Sequence, residues 1–366
     1  MLVGLPLNSL VKKAWRKEVT KFDVSIDPRK FDLSIEEIIA IADGEDVDAR
    51  LITNASELSF GPFEEQDIKR ELSAEKSILL VQGLEQYFKS VRMLIASYFD
   101  FIPAWQLDDV MGSVNYNSTS CGAHFDQYDV FLLQHTGEKK WHFDEMIHCD
   151  EDLDENSELR LLKHFSPTNE VIAREGDLIY VPPGVGHHGQ AAEASITLSI
   201  GIRNPTPLEI LGDFSSFLMS EQSNQAPLSS KLFSGEDEIS DKFIKEIRAY
   251  LTNACSTENI EDWVGSYSTR LSEPSNIQPN EPARLKSKCL LLASLKARFA
   301  FKRRKDKTLF FVNGDRYVLN TSDLKWIADL TRNRECAYEP DVSSAGRNCI
   351  KEMLSSGAIT IEEREH

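Results

Sequence analysis

The stretch Gly122-Ala123-His124-Phe125-Asp126-Gln127-Tyr128 sets a histidine and an aspartate one residue apart, just ahead of the apolar run Asp129 to Gln134. In extended chain, residues i and i+2 share a face, so His124 and Asp126 project together and Phe125 projects the other way. An imidazole and a carboxylate so placed supply two of the three ligands of a 2-His-1-carboxylate facial triad, which leaves open positions on Fe(II). The same pair fits a plain polar patch at the head of a buried strand, so a third donor decides the matter. Downstream, Asp177 to Gln190 (DLIYVPPGVGHHGQ) runs as an apolar strand into a Pro-Pro-Gly turn and on to His187-His188. Only one of two adjacent histidines on a strand faces a given interior, and a loop histidine satisfied by water remains open for either.

Between these ends lies Gln134 to Phe143 (QHTGEKKWHF), where a Gly-containing turn opens a strand with Lys139 and Trp141 on one face and Lys140 on the other. A cation pointing into a β-barrel needs an anionic partner to offset its desolvation. The carboxylate of a small dicarboxylic cosubstrate is such a partner, whereas lysines solvated at a strand edge need none.

The elements that must position these residues change texture along the chain. Residues 1 to about 105 are predicted to alternate helices with short turns. Ser34 to Ile52 opens on a serine followed by acids, as an N-cap would, and Ser77 to Ile102 begins as an apolar strand-like run and continues as an amphipathic helix. From about Asp108 to Arg203, short apolar or alternating runs (DVFLLQ, KKWHF, DLIYVPP, SITLSIGI) separated by Gly, Pro, Asn and Asp predict a barrel or sandwich. After Pro207 the strand texture ends, and LEILGDFSSFLMSEQ and DKFIKEIRAYLTNAC read as helices, with a linker-like stretch near 272–284. From about residue 300 come the basic Ala300 to Lys307, two short strands about an Asn313-Gly314 turn, one or two helices and a final strand, an order that suggests a small winged helix.

The 366 residues suffice for two or three domains, each with a full core. Apolar content of 41% and charged content of 27% are ordinary for a soluble protein. No window approaches the roughly 20 apolar residues of a membrane span, and the N-terminus lacks the layout of a secretory signal. The six scattered cysteines, with no CxxC pair, read as reduced thiols, and the chain is expected in the cytoplasm. A net charge of −18 argues against general nucleic-acid binding and permits a basic partner.

HFD, GEKKW and PPGVGH in this order and spacing resemble the JmjC-type, 2-oxoglutarate- and iron(II)-dependent oxygenases, and more narrowly the bacterial ribosomal oxygenases of the cupin 4 group. HFDQYDVFLLQHTGEKKWHF looks like that group's HxDxYDVFxxQxxGxxxW signature, and LIYVPPGVGHHG like its distal-histidine turn. The likeness is clear over residues 58 to 205 and weaker beyond. It implies a mainly β catalytic domain, a double-stranded β-helix of the cupin/JmjC type with flanking helices over 1–206. A helical dimerisation region over 207–299 and a winged-helix-like domain over 300–366 would follow. It implies Fe(II) on His124, Asp126 and His187, the last preferred over His188 for standing three residues after the glycine of the turn.

Lys139 matches the basic residue that pairs with the distal carboxylate of 2-oxoglutarate. Bacterial members often carry arginine there, and lysine keeps the charge while losing the bidentate geometry. Asn115 and Thr197 fall at neutral polar contacts to the cosubstrate, and Asp109, Tyr128 and Ser199 at positions lining a guanidinium pocket. The implied reaction consumes 2-oxoglutarate and dioxygen, releases succinate and carbon dioxide, and hydroxylates an arginine of a large-subunit ribosomal protein. Alternatives are an oxygenase acting on histidine, asparagine or a small molecule, and a catalytically silent cupin that binds a ribosomal partner. The stretch Trp15 to Ser25 departs from a tryptophan-x-lysine-x-proline motif common in the group, which puts the contacts near the N-terminus in doubt. A homodimer is expected from the helical region, while Lys302-Arg303-Arg304-Lys305 is too short a basic stretch for a specific DNA surface.

Overall fold

The run Asp129–Thr136 is a strand buried on both faces, which is why its middle, Val130 to Leu133, is apolar without alternation. In the computed structural model, Val130 and Leu132 join one core cluster while Phe131 and Leu133 join another. The structure describes residues 7–53, 57–74, 77–116, 120–191, 193–221, 239–271, 289–339 and 341–362. The chain divides into two units, Met1–Asn204 and Pro205–His366.

The first unit runs α1 (Leu7–Ala14), β1 (Thr20–Ser25), α2 (Ile35–Ile41), β2 (Ala49–Thr53), β3 (Glu57–Phe60), α3 (Glu65–Ser73), β4 (Ser77–Val81) and α4 (Lys89–Tyr98). It continues with β5 (Leu107–Asn115), β6 (Asp129–Thr136), β7 (Lys139–Ile147), β8 (Asn169–Ala173), β9 (Asp177–Val181), β10 (Val185–Ala191) and β11 (Ser195–Ile202). The large sheet has the order β1-β9-β6-β11-β5-β4-β2-β3 and the small one β10-β7-β8, with every paired strand antiparallel.

One face of the large sheet packs on the helices through Phe131, Tyr180, Val110, Ile200, Ile38, Leu72 and Leu94. The other face meets the small sheet through Val130, Leu132, Ile179, Trp141 and Phe143. The two facing sheets of this cupin-like, mainly β unit enclose the cavity described below.

Two features differ from the sequence prediction. The N-terminal segment supplies three strands, β1 to β3, besides the strand at Ser77–Val81 that its apolar run predicts. α2 stops at Ile41, and Ala49–Thr53 leaves the predicted helix to pair with β3 and β4. Its good helix formers are overruled by the sheet edge that β4 offers, a tertiary effect local propensity does not contain. The predicted N-cap holds: Ser34 and Glu37 form a reciprocal capping box.

The second unit holds α5 (Pro207–Glu221), α6 (Asp241–Ala254) and α7 (Thr257–Thr269), then β12 (Leu290–Ala293), β13 (Phe299–Arg303), β14 (Lys307–Val312) and β15 (Asp315–Asn320). It ends with α8 (Leu324–Asn333), β16 (Glu335–Ala337), α9 (Ser344–Ser355) and β17 (Ile359–Glu362). The strands therefore begin before residue 300, because Leu290–Ala293 pairs with both β16 and β17. The Asn313-Gly314 turn joins β14 to β15 with φ of 53° and 99°, as a two-residue hairpin with a mirror-image turn requires. The predicted linker near 272–284 lies outside the described residues.

The basic stretch after Ala300 is tied to α7. Arg304 Nε donates to Glu261 Oε2 at 2.9 Å, with Asp262 and Glu258 each 3.6 Å from the guanidinium, and Lys302 lies 3.5 Å from Glu261.

Candidate metal centre and cosubstrate cavity

His124 sits just before β6, in an isolated antiparallel bridge with His187 of β10. The two residues exchange backbone hydrogen bonds: His187 N–H donates to His124 O at 2.7 Å and His124 N–H to His187 O at 3.1 Å. Asp126 lies two residues on, where its carbonyl accepts from Gly184 N–H at 2.7 Å. Gly184 has a φ of 79°, which a residue with a side chain rarely adopts, so the Pro-Pro-Gly turn can bend back onto Asp126. The predicted division of faces holds although Asp126 stands outside any regular strand. Phe125 packs away from its neighbours, against Leu153, Leu162 and Phe165.

Among the described residues, His124, Asp126 and His187 are the one set of three whose donor atoms all lie within 4.8 Å of one another. His187 Nε2 is 3.6 Å from Asp126 Oδ2, and the imidazole centroids of His124 and His187 are 4.3 Å apart. Each imidazole places Nδ1 against a carbonyl, His187 at 3.0 Å from Val185 O and His124 at 3.1 Å from Gly122 O. Donation from Nδ1 leaves Nε2 with its lone pair for a metal.

Burial and the neighbouring His124 hold His187 down to about 4, in the neutral form a ligand needs. On His124 burial opposes the charge, but Cys121 and Asp126 outweigh it and hold the imidazole up at about 10. A metal arriving here must displace that proton. His188, the adjacent histidine, is on the other side of β10, its ring 6.1 Å from that of His142.

Lys139, Asp109, Tyr128, Thr197 and Ser199 line the same cavity as the triad. Lys139 is buried, donates from Nζ to Ser113 Oγ at 3.0 Å and lies 5.0 Å from the Trp141 ring centroid. Burial lowers it to about 8. Its neighbour Lys140 points out, to Glu170 at 2.9 Å, as the strand alternation predicts. Thr197 donates to Gln134 Oε1 at 3.0 Å. Tyr128 is held above the usual phenol range, chiefly by burial and then by Asp126, Asp109 and Asp108.

Asn115 is placed differently: it is fully buried, accepts from Ser195 Oγ at 3.0 Å and is not among the residues lining the cavity. Ser113, Met111, Cys121, Trp141 and Gly201 line the cavity without having been singled out. The alternation of β5 from Asp109 points to Met111 and Ser113, and Trp141 shares its strand face with Lys139. Cys121 and Gly201 carry no such signal.

The residues fit a divalent metal with an anionic cosubstrate. The donor set is two imidazoles and one carboxylate, suited to Fe(II). Among the described residues, no carboxylate lies within ion-pair distance of the buried Lys139. The Trp141 Nε1, also buried, has no hydrogen-bond partner there.

Residues 94–210 match the JmjC domain model. The chain is 28% identical over 295 residues to the ribosomal protein uL16 3-hydroxylase of Escherichia coli K12, covering 74% of each. It is 35% identical over 178 residues to a probable ribosomal oxygenase of Haemophilus influenzae, covering 46% of this chain and 43% of that one. The solved structure of YcfD, a ribosomal oxygenase from E. coli, in complex with cobalt and 2-oxoglutarate superposes with a TM-score of 0.79 at 22% identity, over 98% of this chain and 99% of that one. Over residues 94–210 the chain carries a JmjC domain, and its fold is that of the E. coli ribosomal oxygenase structure.

Proposed function

We propose that the protein is an Fe(II)- and 2-oxoglutarate-dependent oxygenase that hydroxylates a side chain of a ribosomal protein, and more narrowly an arginine of the large-subunit protein uL16. The observation that carries this reading is a two-histidine, one-carboxylate cluster in the wall of a cavity that also holds a buried lysine. The similarity to a uL16 hydroxylase over three quarters of the chain supports the class of substrate.

His124, Asp126 and His187 would hold the metal, and Lys139 with Ser113 would hold the far carboxylate of 2-oxoglutarate. Bound together, Fe(II) and 2-oxoglutarate supply the oxidative decarboxylation that reduces dioxygen and hydroxylates a C–H bond. The chain's own part is placement. Lys139 offers a cation already desolvated, with Ser113 fixing its direction and Trp141 keeping water from its flank. Thr197, its hydroxyl oriented by Gln134 behind it, presents a neutral polar edge. Tyr128 keeps its proton at neutral pH, so its hydroxyl can donate to Asp126. Asp109 puts a carboxylate beside Tyr128 and Ser199, the set suited to a planar cation.

The fold carries further expectations. The apolar residues Leu208, Leu211 and Met219 on α5 and Ile244 and Leu251 on α6 are exposed, which supports a homodimer through these helices. The order of short strands and the helices α8 and α9 from β13 to β17 supports a winged-helix-like domain in the C-terminal part. Pairing of Lys302 and Arg304 with acids of α7 supports protein contact rather than specific DNA binding. No helix among the described residues is long and apolar enough to cross a membrane, consistent with the proposed cytoplasmic site of action.

The test is to incubate purified uL16 with the protein, Fe(II), 2-oxoglutarate and oxygen and to seek by mass spectrometry the gain of one oxygen atom on an arginine. Oxygen gained on histidine or asparagine would move the reading to those substrates. Neither modification nor cosubstrate binding would leave the silent cupin.

A further inference from the structure

The dipeptide Asp108-Asp109 lies between two core residues, Leu107 and Val110, and a strict strand alternation would drive Asp108 into the core. The structure resolves this with a bulge. Val110 pairs with Ile200 and Leu107 with Ile202, so both aspartates stand opposite the single residue Gly201. The extra residue lets Leu107 and Val110 reach the same core while both acids face away from it. Asp108 is taken up by Arg203, whose Nε donates to it at 3.0 Å, and Asp109 lines the cavity.

Gly201 therefore sits inside a strand, across from the bulge and on the cavity wall. Its φ is not in the left-handed region, so the backbone does not require glycine there. A Cβ built on it would lie 3.4 Å from Asp109 Oδ1 and 3.4 Å from Tyr128 Cε2, contacts that an alanine could make without strain. A strand-interior glycine costs conformational entropy and packs nothing. A strand glycine marks a bulge or a close approach of a ligand; the bulged strand here is the partner, and Gly201 itself lines the cavity, so close approach of a ligand is the reason the geometry favours.

We propose, resting on the oxygenase reading above, that Gly201 is the floor of the substrate slot: it leaves open the space where a flat hydrogen-bond-donating side chain lies against Tyr128 with Asp109 at its end. Gly201 is then a specificity-determining residue for a planar group such as a guanidinium, and the bulge at Asp108-Asp109 is what aims the acid at that group.

The test uses Gly201→Ala and Gly201→Val in the full chain. With purified uL16 as substrate, the alanine variant is expected to lose at least tenfold in kcat/KM and the valine variant to give no modified product. Both should bind Co(II) and 2-oxoglutarate as the wild type does, by Co(II) absorption, and the alanine variant should melt no lower than wild type. Equal hydroxylation by Gly201→Ala, a parallel loss of Co(II) or 2-oxoglutarate binding, or a lowered alanine Tm would each overturn the slot.

A second arm does not depend on uL16. N-acetylarginine amide titrated into the Co(II)- and 2-oxoglutarate-loaded protein should perturb the Co(II) spectrum saturably in the wild type and not in Gly201→Val. The same response in both, or none in the wild type, overturns the proposal. An intact response from a wild type that leaves uL16 unmodified counts against the uL16 reading while supporting the slot.

Discussion

Two titrations in the cavity run in opposite directions with pH. Lys139, lowered to about 8 by burial, is charged below that value and neutral above it, and only the ammonium attracts a carboxylate. The KM for 2-oxoglutarate is thus expected to be flat below pH 8 and to climb above it, by up to about tenfold per unit, in initial-rate assays across pH 6.5 to about 9.5. His124, held up at about 10 by Cys121 and Asp126 against its burial, must lose its proton to bind metal. Co(II) affinity should therefore rise with pH, about tenfold per unit for one displaced proton, in titrations followed by absorption. Replacing His124 or Asp126 by alanine should abolish 2-oxoglutarate turnover and Co(II) uptake together, since each removes a donor. Substantial coupled hydroxylation by either variant would remove it from the metal role. Asp109→Ala should instead lose uL16 while retaining cosubstrate binding, and loss of both would take Asp109 out of the substrate slot.

Among the elements, β6 is held at its start by a buried network. Asp129 is fully buried and accepts from Tyr180 Oη at 2.5 Å and Asn204 Nδ2 at 2.7 Å, with Arg16 Nε and Nη2 each at 3.3 Å. Trp15 stacks on Tyr180 with centroids 5.4 Å apart. One carboxylate thus joins the segment after α1, β6, β9 and the exit of β11. Asp129→Ala leaves donors of three side chains short of an acceptor and should cost about 1–3 kcal/mol, read by urea unfolding. At this scale the sequence was most legible where the strand period is undisturbed. β6, β7, β9 and β11 are visible as apolar or alternating runs, and with β7 the face that Lys139 and Trp141 share; strand parity left His187 and His188 open, and the family resemblance chose between them. It was least legible where a long-range partner sets the outcome: β2, whose residues suit a helix, and β5, where the bulge breaks the alternation at Asp108-Asp109. Asn115 shows the same limit, since strand parity puts it on the cavity side while its hydrogen bond to Ser195 holds it out of the cavity lining.

For the whole molecule, the net charge of −18 has two consequences. It favours encounter with a basic ribosomal protein, so the association rate with uL16 should fall as salt is raised, measurable by stopped flow. It also makes the internal pairing of Arg304 and Lys302 with Glu261 the expected fate of its few basic clusters. If α5 and α6 cover one another across a dimer, Leu211→Glu should shift the protein toward the monomer in light scattering while leaving Co(II) binding intact, because a charge in an apolar interface has no partner.

The bridge between His124 and His187 joins residues far apart along the chain through just two backbone hydrogen bonds. β6 and β9 are laddered together and β10 is laddered to β7, but the His124 side of the seam has only these two hydrogen bonds, so without metal it is a natural place for local opening. A metal bound by both imidazoles acts as a clasp across it. Amide hydrogens at His124, Gly184 and His187 should then exchange more slowly once Co(II) is added, while those deep in β9 and β11 barely change, making the seam a reporter of cofactor loading that needs no substrate at all.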